Sequence, residues 1–196
     1  MSATPAPSAP VIVVSGLPRS GTSLMMNMLQ AGGIPIVTDE ERTADDDNPK
    51  GYFELERVKQ LSRGDVTWVA DAQGQAVKVI SALMEHLPPT STYKVLFMRR
   101  RLPEVLASQR KMLERRGEPT DTVPDAMMAS IFEKHVQKIE AWMAAQQNMS
   151  VLYLPYHEVA ERPETRVDEI IAFLGLDLDR VKMLAAVDPS LYRNRA

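Results

Sequence analysis

Val11-Ile12-Val13-Val14-Ser15-Gly16-Leu17-Pro18-Arg19-Ser20-Gly21-Thr22-Ser23 is the stretch that decides how this chain folds. It opens with an unbroken β-branched run, the mark of a strand buried on both faces of a parallel sheet. A glycine-bearing turn follows, and residues 22–31 read as a helix ended by Gly32-Gly33. Strand, loop, hydroxyls and helix in that order predict a phosphate cradle. Glycines let the backbone turn its amide hydrogens inward, and the start of the helix adds partial positive charge. Arg19 brings a permanent cation, while Ser20, Thr22 and Ser23 bring hydroxyl donors. The spacing Gly-x4-Gly-Thr-Ser nearly matches a Walker A loop, except that Thr22 stands where a nucleotide triphosphatase has lysine.

The alternation continues outward from this unit. Residues 34–37 predict a short second strand, and 38–50 an acidic surface loop carrying Asp45, Asp46 and Asp47. Residues 53–63 read as a helix, 76–80 as a third strand and 93–98 as a fourth, which delivers Arg99-Arg100-Arg101 at its end. Pro103 suits the first position of a helix running to about Arg116. A longer helix over 124–147 carries apolar residues at three-to-four spacing, 151–154 is a fifth strand, and a helix over 163–174 stops at Gly175. Met25, Met26 and Met28 read as core filling. The pattern predicts an α/β fold, three layers with a central, roughly five-stranded parallel sheet, like that of P-loop nucleotide hydrolases. In such sheets ligands bind where strands end, which is where the glycine loop and the arginine triplet fall.

The bulk composition bounds the function. A chain of 196 residues suits one domain, expected over 11–196 behind a disordered tail at 1–10. A net charge of −3 provides no global basic field, so nucleic-acid binding is disfavoured. The absence of cysteine excludes disulfides, thiolate metal sites and a cysteine nucleophile, and fits a cytoplasmic location. There is no secretory signal and no apolar run of membrane-spanning length.

Arg100 and Ser108 form a second candidate anion site: an arginine at a strand end clamps phosphate, and a serine in the next helix adds a hydrogen bond. Arg110, Lys111, Arg115 and Arg116 read as a solvated basic face. A triphosphate enzyme wants a loop lysine and a strand-end carboxylate for magnesium. Three arginines stand there instead, which favours an anion held by protein cations, with no metal required.

These residues resemble the sulfotransferase family, which uses 3'-phosphoadenosine 5'-phosphosulfate (PAPS). Leu17-Pro18-Arg19-Ser20-Gly21-Thr22-Ser23 looks like that family's 5'-phosphosulfate loop, Pro-Lys/Arg-Ser-Gly-Thr-Thr/Ser. The resemblance implies that Pro18, Arg19, Ser20, Gly21, Thr22 and Ser23 bind the cofactor. Arg100 to Ser108, Arg-x3-Glu-Val-x2-Ser, is similar to the family's 3'-phosphate motif, Arg-x3-Asp-Val-x2-Ser. Tyr156-His157-Glu158-Val159 and Phe173-Leu174-Gly175 resemble Tyr-Glu-Asp-Leu and Phe-Leu-Gly, and Asn48 to Glu54 looks like a stretch of bacterial members. The chain departs from the cytosolic branch at Lys78-Val79-Ile80, where that branch has Lys-Thr-His with the histidine as base. The carboxy-terminal Arg-Lys-Gly is replaced by a region holding Tyr192, Arg193 and Arg195, and the chain is short for the family.

The implied reaction moves a sulfuryl group from PAPS to a hydroxyl or amine of an unidentified acceptor. Arg19, the loop amides and Thr22 or Ser23 would stabilise the developing charge, with Lys78 as a further cation or a solvated strand-end residue. His86, His135 and His157 have no catalytic context, and Glu54 is the leading candidate base, with Asp45 to Asp47 as alternatives. Two other readings stay open: a P-loop phosphotransferase acting on a small molecule, and a non-catalytic nucleotide-binding protein on the same fold.

Overall fold

The computed structural model describes residues 9–39, 51, 53–120, 122–188, 190 and 192. Most of the amino-terminal tail, the acidic stretch 40–47, residues 48–50 and 52, and Arg193 and Arg195 lie outside the described residues. Pro10 does not belong to a free tail, because its carbonyl accepts the Gly74 amide at 3.1 Å.

Strand β1 (Val11–Gly16) is buried along its whole length, as its β-branched run predicts. It lies inside a four-stranded parallel sheet with β2 (Ala76–Lys78), β3 (Tyr93–Arg99) and β4 (Met149–Pro155), in the order β2-β1-β3-β4. The expected α/β class therefore holds, with one strand fewer among the described residues. Residues 34–37 supply a single bridge, Ile36 to Ala76, flanked by Ala76 N–H to the Pro35 carbonyl and Val37 N–H to the Ala76 carbonyl, both 2.8 Å. Pro35 has no amide hydrogen to extend the ladder, which ends the pairing there.

Alternation along β1 sends side chains to two cores. Ile12 and Val14 pack with Met25, Met26, Met28 and Leu29 of α1 (Thr22–Ala31). The same core holds side chains of α4 (Tyr156–Glu161), α5 (Pro163–Leu174) and α6 (Arg180–Ala185). Val11 and Val13 pack on the other face with Val58, Leu61, Trp68 and Met84, and with Ile139 and Met143 of α3 (Asp125–Ala144). A helix as short as α1 is marginal alone. Its four buried side chains hold it, each worth about 1.5–3 kcal/mol relative to exposure.

The segment expected as a helix over 53–63 is instead a 3₁₀ helix at Glu56–Arg63. Val58 and Leu61 are its buried residues, and at three residues per turn their three-residue spacing stacks them directly above one another. Further 3₁₀ turns lie at Thr67–Val69 and Ser81–His86, and α2 (Leu102–Arg116) follows β3 directly. The register pairs Val14 with Lys78 and Gly16 with Met98, so the ends of three strands share one edge. None of the described helices is long and apolar enough to cross a membrane.

Candidate active site

The loop between β1 and α1 needs its glycines. Gly21 has φ 101°, and a Cβ there would stand 2.3 Å from the Tyr156 ring. At Gly16, φ 147°, a Cβ would lie 2.6 Å from the Met98 carbonyl oxygen. Arg19 also sits in the left-handed region at φ 71°, without a glycine's freedom. Such a conformation costs about 1–3 kcal/mol and persists where surrounding contacts hold it. Here two contacts do so: Arg100 Nη1 donates to the Arg19 carbonyl at 3.0 Å, and Arg19 Nε donates to Ser108 Oγ at 3.0 Å.

The loop's polar groups suit an anion. No side chain among the described residues caps α1, and its first turn, which holds Thr22 and Ser23, contains no acidic residue. Ser20 is buried, with its hydroxyl unpartnered among the described residues. An unsatisfied buried hydroxyl costs about 1–3 kcal/mol, so it marks a place where a ligand oxygen would fit. Pro18 is exposed at the loop's crest. Beside the loop is a cavity of about 150 Å³ lined by Leu17, Ser20, Met98, Arg100, Val136 and Gln137 among others. Whole-ligand sites run to roughly 300–1,000 Å³, so this one admits only part of a ligand.

The second motif meets the loop through both of its expected anion ligands. Ser108 is buried and holds Arg19, from 89 residues away, while Arg100 holds the loop backbone. The Arg100 Nε donates to Glu104 Oε2 at 3.0 Å, and its guanidinium lies 4.4 Å from the Tyr156 ring centre and 5.5 Å from that of Tyr192. The other arginines of the triplet serve elsewhere. Arg99 bonds Glu140 at 2.7 Å and stacks on Tyr153, while Arg101 is exposed. Arg110 pairs with Asp125, and Lys111, Arg115 and Arg116 are exposed.

Glu54 and Lys78, chosen separately from the sequence, meet across the edge: Lys78 Nζ lies 3.4 Å from Glu54 Oε1. Lys78 is not a solvated strand-end lysine, since its side chain is only 8% exposed. Glu54 does not open a helix, since it precedes the 3₁₀ segment. Its carbonyl is fixed by Thr38 Oγ1 at 2.8 Å and the Asp39 amide at 3.3 Å. Of the histidines, His86 is exposed and His157 lies 3.7 Å from Glu158. His135 Nε2 lies 2.9 Å from Ser81 Oγ, pinning α3 to the turn after β2. Burial, with Lys138 nearby, lowers the His135 pKa from its ordinary value.

What the sequence concealed is that Glu104 and Tyr192 meet beside the site. Glu104 reads there as a motif acid in the first turn of a helix, yet it is 1% exposed and takes the Tyr192 hydroxyl on Oε1 at 2.8 Å. The four-residue step from Arg100 to Glu104 was the available signal.

The profile of the sulfotransferase domain matches residues 9–194, nearly the whole chain. The chain belongs to the sulfotransferase domain family. That membership makes it a PAPS-dependent transferase. Among solved structures, this sulfotransferase domain is similar to a mouse sulfotransferase complexed with PAP, at 19% identity and TM-score 0.61, over 97% of this chain and 68% of that one. A sulfotransferase from Mycobacterium tuberculosis H37Rv shares 18% identity at TM-score 0.54, over 93% and 71%. The sulfotransferase domain of the Synechococcus PCC 7002 olefin synthase shares 14% at TM-score 0.55, over 100% and 91%. Identities this low speak for the shared fold. A search among curated proteins gave no match.

Proposed function

We propose that this sulfotransferase domain moves the sulfuryl group of PAPS to a hydroxyl or amine of its acceptor. The observation that carries the reading is the Arg19–Ser108 hydrogen bond, which joins the loop to the second anion motif at one site. PAPS, when bound, supplies a sulfuryl group already attached to a phosphate leaving group. Pro18 shapes the loop's crest, and Arg19, Ser20, Gly21, Thr22 and Ser23 hold the phosphosulfate end. Arg100 and Ser108 hold the 3'-phosphate. Arg19 and the amides opening α1 stabilise charge on the departing oxygen, because donors fixed in place need no reorganisation as charge develops.

Glu54 takes the acceptor's proton in this reading. Lys78 orients that carboxylate and adds a cation to the same edge. General-base catalysis contributes typically about a hundredfold or more. Glu54→Gln should therefore lower kcat by about a hundredfold. An unchanged kcat would assign the base elsewhere.

Calorimetric titration tests the donor. Adenosine 3',5'-bisphosphate should bind in preference to ADP with magnesium. The opposite preference would favour a phosphotransferase, a reading against which Thr22 at the lysine position already argues.

A further inference from the structure

Resting on that reading of the 3'-phosphate, we propose that Tyr192 is a positioning residue: its hydroxyl fixes Glu104, and Glu104 fixes the arginine that meets the phosphate. Three contacts in series carry this. The Tyr192 hydroxyl donates to Glu104 Oε1 at 2.8 Å, Arg100 Nε donates to Glu104 Oε2 at 3.0 Å, and Arg100 Nη1 donates to the Arg19 carbonyl at 3.0 Å. A carboxylate gripped on each oxygen by a different side chain cannot turn about its own axis. Among the described residues the other cation near Oε1, Arg101 Nη1, is at 3.9 Å on a side chain 57% exposed, and a solvated arginine holds little.

The ring of Tyr192 acts on the same guanidinium. It meets Tyr156 edge to face at 5.1 Å, and Arg100 lies within reach of both rings. Aromatic faces attract a cation, and this pair restricts its plane. Packing alone would need only a phenylalanine at a position 5% exposed. The hydroxyl is there for the carboxylate. Burial, reinforced by the bond to Glu104, pushes the phenol up to about 12, so the donor keeps its proton through the working pH range.

Tyr192→Phe keeps the ring and deletes the bond. Affinity for adenosine 3',5'-bisphosphate should fall by about five- to tenfold, less than the full worth of a hydrogen bond to a charged group because Tyr192 acts on the phosphate only through Glu104 and Arg100. Affinity for adenosine 5'-phosphate, which has no 3'-phosphate for Arg100 to meet, should fall less, so the preference between the two ligands narrows. In turnover the loss should fall on KM for PAPS rather than on kcat. In an Arg100→Lys background the same substitution should have no further effect on that preference. Equal losses for both ligands, or effects that add to those of Arg100→Lys, would reduce Tyr192 to packing. A wild-type preference that survives Tyr192→Phe intact would overturn the role of Tyr192 alone. Absence of any bisphosphate preference in the wild type would overturn the reading of the 3'-phosphate site with it.

Discussion

Arg19→Ala should lower sulfuryl transfer by about a hundred- to a thousandfold, the loss seen when one preorganised donor is removed from developing negative charge. The measurement is the rate of label transfer from PAPS to a panel of phenol, sugar and amine acceptors. Alanine is the informative replacement because it keeps a non-glycine residue at φ 71° with the Arg100 bond to its carbonyl intact. Glycine would relieve the strain of that conformation and confound the comparison. Binding of the bisphosphate should weaken much less, since the loop amides and the hydroxyls of Ser20, Thr22 and Ser23 remain. A variant that transfers sulfate at the wild-type rate would remove Arg19 from the chemistry. Arg19→Lys should recover only part of the rate, because a lysine cannot bond Ser108 and also present the flat guanidinium fork.

The second large effect is expected on stability and binding together. Arg100→Ala leaves Glu104, 1% exposed, without the guanidinium whose side chain is itself 7% exposed. Breaking a buried ion pair by removing one partner costs about 3–5 kcal/mol. The Tyr192 hydroxyl stays on Glu104 and places the expected loss at the lower end, about 3 kcal/mol by denaturant titration. Bisphosphate affinity should fall by about a hundredfold, the scale of a lost charge-assisted contact. Adding Glu104→Gln removes the orphaned charge and should restore much of the stability but none of the affinity. Recovery of both by the double variant would show that Arg100 supports the fold without touching the nucleotide.

Much of this site was legible because its signals are local. The β-branched run and the glycine loop occupy one continuous stretch, and residues 22–31 give the first helix to the residue. Lys78 and Glu54 were each marked by position, one at a strand end and one at the edge of a loop. Their pairing was not legible, because nothing in a sequence sets the distance between a strand end and a loop 24 residues before it. The same holds for Arg19 and Ser108. Their motifs were recognised separately, and nothing in the pattern joined Arg19 of one to Ser108 of the other. The helix expected over 53–63 failed for another reason. Apolar residues three apart fit both helix types, and only packing against β1 and the turn after β2 selects the tighter one. Glu104 was concealed by base composition: acids near a helix start usually sit in water beside the dipole, and this one sits in the core.

The central place of β1 has a consequence for how the domain comes into being. Val13 pairs with Val77 on one side and with Val95 on the other, so the first strand made has no neighbour until much of the chain has followed. Pairings so distant in sequence close late, because the entropy of a long loop must be overcome before any contact rewards it. The anion loop is written near the start of the chain, yet Arg100, which clasps its carbonyl, is synthesised after β3. A nascent chain therefore carries the motif long before it carries the cradle, and the capacity to grip a nucleotide waits on the pairing of β1 with β3.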